Sequence, residues 1–150
     1  AAVVREHWGL DLPLAPRWVG DERLAFLWSG PDQWLAVSES WPGALDTGVR
    51  NALSGLASVT AQGDGRMVVR IAGPRTRDVL AKGMAVDLHP RVFGPGDTAV
   101  TQFAHVGVQI RQLDATPGYE LLAFRSHAAT LYRALLSAGA EYGVDVVVRG

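Results

Sequence analysis

A chain of 150 residues with 48% hydrophobic positions and a formal charge of −1 is long enough for one complete core, burying roughly 68–70% of the surface that its unfolded form exposes. The near-balance of charge leaves no general field to draw it to nucleic acid or an anionic bilayer, and no apolar run reaches the ~18 residues of a membrane-spanning helix. The absence of cysteine excludes disulfides, thiolate metal sites and a cysteine nucleophile; with a first segment, AAVVREHWGL, that lacks a leader's charged-then-apolar layout, it suits a cytoplasmic protein.

In chain order, Leu10 to Val19 carries Pro13 and Pro16 among apolar residues, which reads as extended backbone and makes residues 1–22 an N-terminal arm to a single domain over 23–150. Arg23 to Ser29 and Gln33 to Ser38 flank Gly30-Pro31-Asp32, a hairpin pattern with Trp28 and Trp34 beside its turn. Leu45, Val49, Ala52, Leu53 and Leu56 mark one face of a helix over Ala44 to Leu56. Ser58 to Gln62 and Met67 to Ala72 flank Gly63-Asp64-Gly65, which predicts a second hairpin. The nearly all-apolar MVVRIA reads as a central strand.

Gly73-Pro74 opens a helix over Arg75 to Lys82 with Val79 and Leu80 inward. Thr98 to Phe103 and Val106 to Leu113 read as strands joined near His105, with Gly107 as a bulge. Tyr119 to Phe124 is another strand. Ser126 is the expected N-cap of a helix over His127 to Ala138 that buries Leu131, Leu135 and Ala138, and Val144 to Val148 is the expected last strand. The sum is an α+β fold, mostly antiparallel sheet with helices packed on one face.

Reactive chemistry finds little support in the pattern. His7, His89, His105 and His127 fall on separate elements, with no i, i+4 pair to hold a metal, and no G-x-S-x-G elbow accompanies the serines. Gly63-Asp64-Gly65 and Gly94-Pro95-Gly96 are too short to cradle phosphate. No catalytic or metal-binding residue is expected.

Recognition surfaces are more suggestive. All five tryptophans, Trp8, Trp18, Trp28, Trp34 and Trp41, fall in the first 41 positions. They are either anchors for a neighbouring subunit, where buried Trp and Arg concentrate, or the cover of the chain's own sheet. Arg70, Arg75 and Arg77 cluster near Asp78 and Asp87, which suits a subunit interface (Arg75 and Arg77) or ordinary solvation better than nucleic acid.

The run RIAGPRTRDVLAKGMAVDLHPRVFGPG (Arg70 to Gly96), the later AHVGVQIRQLD (Ala104 to Asp114) and PDQWLAVSE (Pro31 to Glu39) closely resemble the gamma subunit of heterotetrameric sarcosine oxidase. That family is similar in turn to aminomethyltransferase folate-binding domains with ferredoxin-like elements, whose Arg strand, glycine turn and GYE strand correspond to Arg111, Gly118, Tyr119 and Glu120. The resemblance implies a vestigial folate contact at Arg111, Tyr119 and Glu120, where a carboxylate could take hydrogen bonds from a pterin. On the residues alone, Glu120 is equally a partner for Arg111 or Arg125, or a solvated charge.

Two departures separate the chain from the reactive relatives. The paired aspartates of catalytic aminomethyltransferases have no counterpart, since Asp21-Glu22 is the only adjacent carboxylate pair and sits in a turn-like segment; the KGC segment of folate-dependent iron–sulfur maintenance proteins is absent with every other cysteine. The resemblance therefore implies a non-catalytic subunit in one-carbon metabolism. Its complex demethylates sarcosine to glycine, passes the one-carbon unit to tetrahydrofolate and makes hydrogen peroxide. Flavins, NAD, tetrahydrofolate and zinc are expected in larger alpha and beta subunits and a small delta subunit, with none in this chain. The alternatives are a freestanding folate-binding one-carbon transferase-like protein and the equivalent subunit of an N-methylglutamate dehydrogenase-type complex.

Overall fold

The computed structural model describes residues 1–148; the last two positions of the expected 23–150 domain lie outside the described residues. Among these residues are four α-helices, α1 (Ala2–Trp8), α2 (Leu45–Ala52), α3 (Thr76–Ala81) and α4 (Ala128–Gly139), and seven strands: β1 (Trp18–Gly20), β2 (Ala25–Gly30), β3 (Gln33–Val37), β4 (Arg66–Ala72), β5 (Thr98–Phe103), β6 (Val106–Asp114) and β7 (Gly118–Phe124). They build a three-stranded sheet in the order β1-β2-β3 and a four-stranded sheet in the order β4-β7-β6-β5. The fold is α+β, with antiparallel pairing throughout the registered strand pairs. No helix of the described residues is long and apolar enough to cross a membrane.

The backbone gathers into two compact units, one of Ala1–Gly63 with Gly96–Ala99 and one of Asp64–Pro95 with Val100 onward. In the first, Val4 from α1 joins Leu24 and Phe26 in a buried cluster, and partly buried aromatic and aliphatic side chains pack around it. Within residues 1–22, the expected arm, Ala2–Trp8 is helical and Trp18–Gly20 is a strand, while residues 10–16 between them form neither helix nor strand. Arg17 and Asp97 form an antiparallel bridge, Trp18 donates its amide to the Gly96 carbonyl at 2.9 Å and Thr98 donates to Pro16 at 3.2 Å. Gly20 ends β1 at φ 113°, and a Cβ there would stand 2.1 Å from the Leu24 carbonyl oxygen, so only glycine fits.

In the second unit, β4 and β7 pair in unbroken register from Arg66↔Phe124 to Ala72↔Gly118. The β6–β7 register shifts between Gln112 and Asp114 of β6, which marks a bulge there. Val79 and Leu80 of α3 and Leu131 and Leu135 of α4 are buried as the apolar spacing predicts. Other expectations are corrected. Residues 57–62 form no strand and Gly63–Gly65 is a short 3-10 turn, so β4 pairs with β7 across some fifty positions and lies at a sheet edge, not at its centre. Exposure explains the failure of the local hairpin: five of the six residues in 57–62 face solvent, leaving a strand there nothing to bury.

Ser126 does not cap α4; a 3-10 turn, Arg125–His127, leads into the helix instead, and the His127 position contributes no side-chain cap. Residues 144–148 form no strand. Val144 leans on α4, where a Cβ at Gly139 would come within 2.7 Å of its Cγ2.

Candidate functional site

The strand registers place three charged residues in one row. Arg70 on β4 lies opposite Glu120 on β7, and Glu120 lies opposite Arg111 on β6. Cross-strand partners on one face stand close enough for direct contact, and each arginine takes one carboxylate oxygen. Arg70 Nη2 donates to Glu120 Oε1 at 2.5 Å and its Nε to the same oxygen at 3.2 Å. Arg111 Nε donates to Oε2 at 2.8 Å and its Nη2 lies 2.6 Å away.

The row is graded in depth. The side chains of Arg111 and Glu120 are 5% and 3% exposed, whereas that of Arg70 is 42% exposed. Burial alone pushes the Glu120 carboxyl up; the hydrogen bond from Arg70, the charge of Arg111 and its hydrogen bond together outweigh that push and hold the group below its ordinary value. Glu120 is thus the buried partner of Arg111, one of the roles its sequence position allows, and not a solvated charge or a partner of Arg125. Arg70 escapes sequence reasoning because its contact depends on β4 pairing with β7.

The neighbours of Glu120 are explained by the same strand. A Cβ at Gly118 would stand 2.9 Å from an Asp114 carboxylate oxygen, so glycine admits the close approach that turns β6 into β7. Tyr119 points to the opposite face from Glu120 and is fully buried, its ring 6.4 Å from that of Phe93. Burial raises the pKa of its hydroxyl, and nearby Arg77 opposes the shift. The three residues implied by the resemblance therefore do not converge on one opening: Glu120 is engaged by guanidiniums on one face, and Tyr119 lies under a phenylalanine on the other. This donor set does not fit a pterin.

The expected interface residues have intramolecular contacts. Trp8 and Trp34 pack against the Val4 cluster, Trp8 tilts against Phe26 at 5.7 Å, and Trp34 Nε1 donates to the Pro13 carbonyl at 2.7 Å. Trp28 lies opposite Trp34, and Trp18 opposite Leu27; both indoles are partly buried. Arg77 Nε donates to the Leu88 carbonyl at 3.0 Å. The Arg75 guanidinium lies 4.6 Å from the centre of the Tyr142 ring, and the Lys82 ammonium 4.9 Å from the same centre, while Lys82 also pairs with Glu141. The Asp21-Glu22 pair belongs to the β1–β2 turn, where Asp21 Oδ1 accepts the amides of Arg23 at 2.9 Å and Leu24 at 3.2 Å. Among the described residues no group of three His, Asp or Glu side chains gathers as metal ligands.

Comparison with known proteins gives this geometry its context. Residues 1–141 match the model of the "Sarcosine oxidase, gamma subunit family". The chain is 36% identical over 103 residues to the sarcosine oxidase subunit gamma of Corynebacterium sp. (strain U-96), covering 67% of this chain and 50% of that protein. It is 33% identical over 98 residues to the corresponding subunit of Arthrobacter sp, covering 62% and 48%. The chain thus spans about half the length of these relatives. A chain of the heterotetrameric sarcosine oxidase from Corynebacterium sp. U-96, solved with pyrrole 2-carboxylate, superposes with a TM-score of 0.85 at 29% identity over 98% of this chain and 76% of that one. A family match of this extent, joined to a shared fold, establishes that the chain belongs to the sarcosine oxidase gamma subunit family.

Proposed function

We propose that the chain is a non-catalytic gamma subunit of a sarcosine oxidase-type complex and serves its assembly. The observation that carries this reading is the Arg70–Glu120–Arg111 row. The carboxylate best placed by resemblance to receive a pterin is consumed within the sheet, which supports a structural use of the scaffold. In this reading the complex oxidatively demethylates sarcosine to glycine, passes the one-carbon unit to tetrahydrofolate and makes hydrogen peroxide. Flavins, NAD, tetrahydrofolate and zinc reside in alpha, beta and delta partner subunits.

Co-expression with the larger subunits tests the assignment. The expected result is stoichiometric co-purification, with sarcosine-dependent peroxide production by the complex and none by this chain alone. Flavin bound tightly and stoichiometrically to the lone chain would overturn it. Titration calorimetry with tetrahydrofolate separates the freestanding-transferase alternative, which requires binding by the isolated chain and its loss in Glu120→Ala.

A further inference from the structure

We infer that the tip of the loop between α3 and β5, His89 to Val92, is a docking surface for a partner subunit. That subunit offers a carboxylate to Arg91 and an apolar contact to Val92. Residues 82–95, all in the second unit, form neither helix nor strand. Connections of this length without secondary structure are uncommon in compact domains and usually carry function.

The loop is nevertheless built rather than slack. Met84, Leu88 and Phe93 are 7%, 6% and 6% exposed, and the Phe93 ring lies against Tyr119. Arg77 on α3 holds the Leu88 carbonyl. Between the buried Leu88 and Phe93 the backbone is pinned from within. Asp87 Oδ1 accepts the His89 amide at 2.9 Å, and the His89 ring Nδ1 accepts the Arg91 amide at 3.2 Å. The His89 carbonyl accepts the amides of Val92 at 2.8 Å and Phe93 at 2.9 Å. His89, Pro90, Arg91 and Val92 all face solvent, Val92 with 64% of its surface. A tip fixed in this way loses little conformational freedom on binding, which raises affinity without adding contacts.

Charge selects the occupant. On and beside α3 the cations have partners inside the chain: Arg75 pairs with Asp78, Lys82 with Glu141, and Arg77 binds Leu88. Arg91 bonds through its backbone amide, and its guanidinium has no hydrogen-bond or ion-pair partner among the described residues. Arginine is among the residues that dominate binding energy when its fork closes on a carboxylate in a dried interface. Pro90 and Val92 beside it supply apolar surface that excludes water. A second copy meeting tip to tip would bring Arg91 against its own counterpart, a like-charge clash, so a different subunit fits.

This docking presupposes the subunit role proposed above, and its test separates the two. The wild-type chain, Arg91→Glu, Arg91→Lys and Val92→Asp are each titrated against the purified larger subunits, and amide exchange is followed in the wild-type chain alone and in the complex. Because both side chains are exposed, each variant alone should melt at the wild-type temperature. Arg91→Glu and Val92→Asp should bind at least about tenfold more weakly. Arg91→Lys, which keeps the charge and loses the fork, should fall between them and wild type, and assembly should slow exchange across residues 89–93. Wild-type affinity in Arg91→Glu, or protection confined to other segments, would overturn the proposal. So would self-association of the chain that Arg91→Glu abolishes, which would make a second copy the occupant. A wild-type chain that binds no larger subunit would overturn the subunit role itself, whereas equal binding by wild type and Arg91→Glu leaves that role standing and removes only the tip.

Discussion

The two compact units hold themselves together by different means. In the first, indole rings and aliphatic side chains surround Val4, Leu24 and Phe26, and polar contacts such as Trp34 to Pro13 serve to orient that apolar mass. In the second, a carboxylate lies buried between two arginines within the sheet. Aromatic packing degrades gradually when trimmed, whereas an ion row fails abruptly, since removing one member strands another charge away from water. The division is also spectroscopic. All five tryptophans lie in the first unit and all three tyrosines, Tyr119, Tyr132 and Tyr142, in the second, so each unit carries its own reporter.

The sharpest break in this comparison is Glu120→Ala. Leaving Arg111 buried without its carboxylate should cost about 3–5 kcal/mol, read as early loss of the tyrosine near-ultraviolet dichroism. Coincident loss of the tryptophan signal would show that the units unfold as one. Acid should act on the same group. Because the folded-state pKa of Glu120 is depressed, its contribution is present at neutral pH and disappears as pH falls through that lowered value. Chemical denaturation across the acidic range should show this loss, and Glu120→Gln should flatten it.

Gly20→Ala is the matching break in the first unit. A residue forced to φ 113° against the Leu24 carbonyl should lose about 1–3 kcal/mol from backbone strain alone, with tryptophan fluorescence shifting before the tyrosine signal. A gentler change is Trp34→Phe, which keeps an aromatic six-membered ring but removes the pyrrole ring with its donor to Pro13, for a loss of at least about 1 kcal/mol in urea denaturation. The smallest effect belongs to Glu141→Gln at the exposed Lys82 pair. Its melting temperature should be nearly unchanged, because solvent-exposed ion pairs add little.

The same contrast explains what could be read from residues alone. The β2–β3 hairpin is legible because Gly30-Pro31-Asp32 punctuates two β-compatible runs, and α3 because Val79 and Leu80 follow a proline start. The local signal at Gly63-Asp64-Gly65 is equally strong but misleading: β4 finds its partner in β7, a distant pairing that no turn chemistry announces. For the same reason Arg111 is a visible candidate for Glu120 and Arg70 is not. Ser126 has the chemistry of a cap, yet the 3-10 turn that carries it leaves α4 without a side-chain cap. The tryptophans advertise burial without naming the surface, and the structure places Trp8 and Trp34 on the chain's own core.

The bridge between Arg17 and Asp97, with the amide bonds from Trp18 and Thr98 beside it, ties the start of the chain to a short piece of its middle. As the polypeptide leaves the ribosome, the first unit must wait unfinished until the segment Gly96–Ala99 has emerged, although its tryptophans were made long before. A truncation at Gly63 would omit that closing piece, so the amino-terminal half is a poor choice for separate expression despite its dense aromatic core.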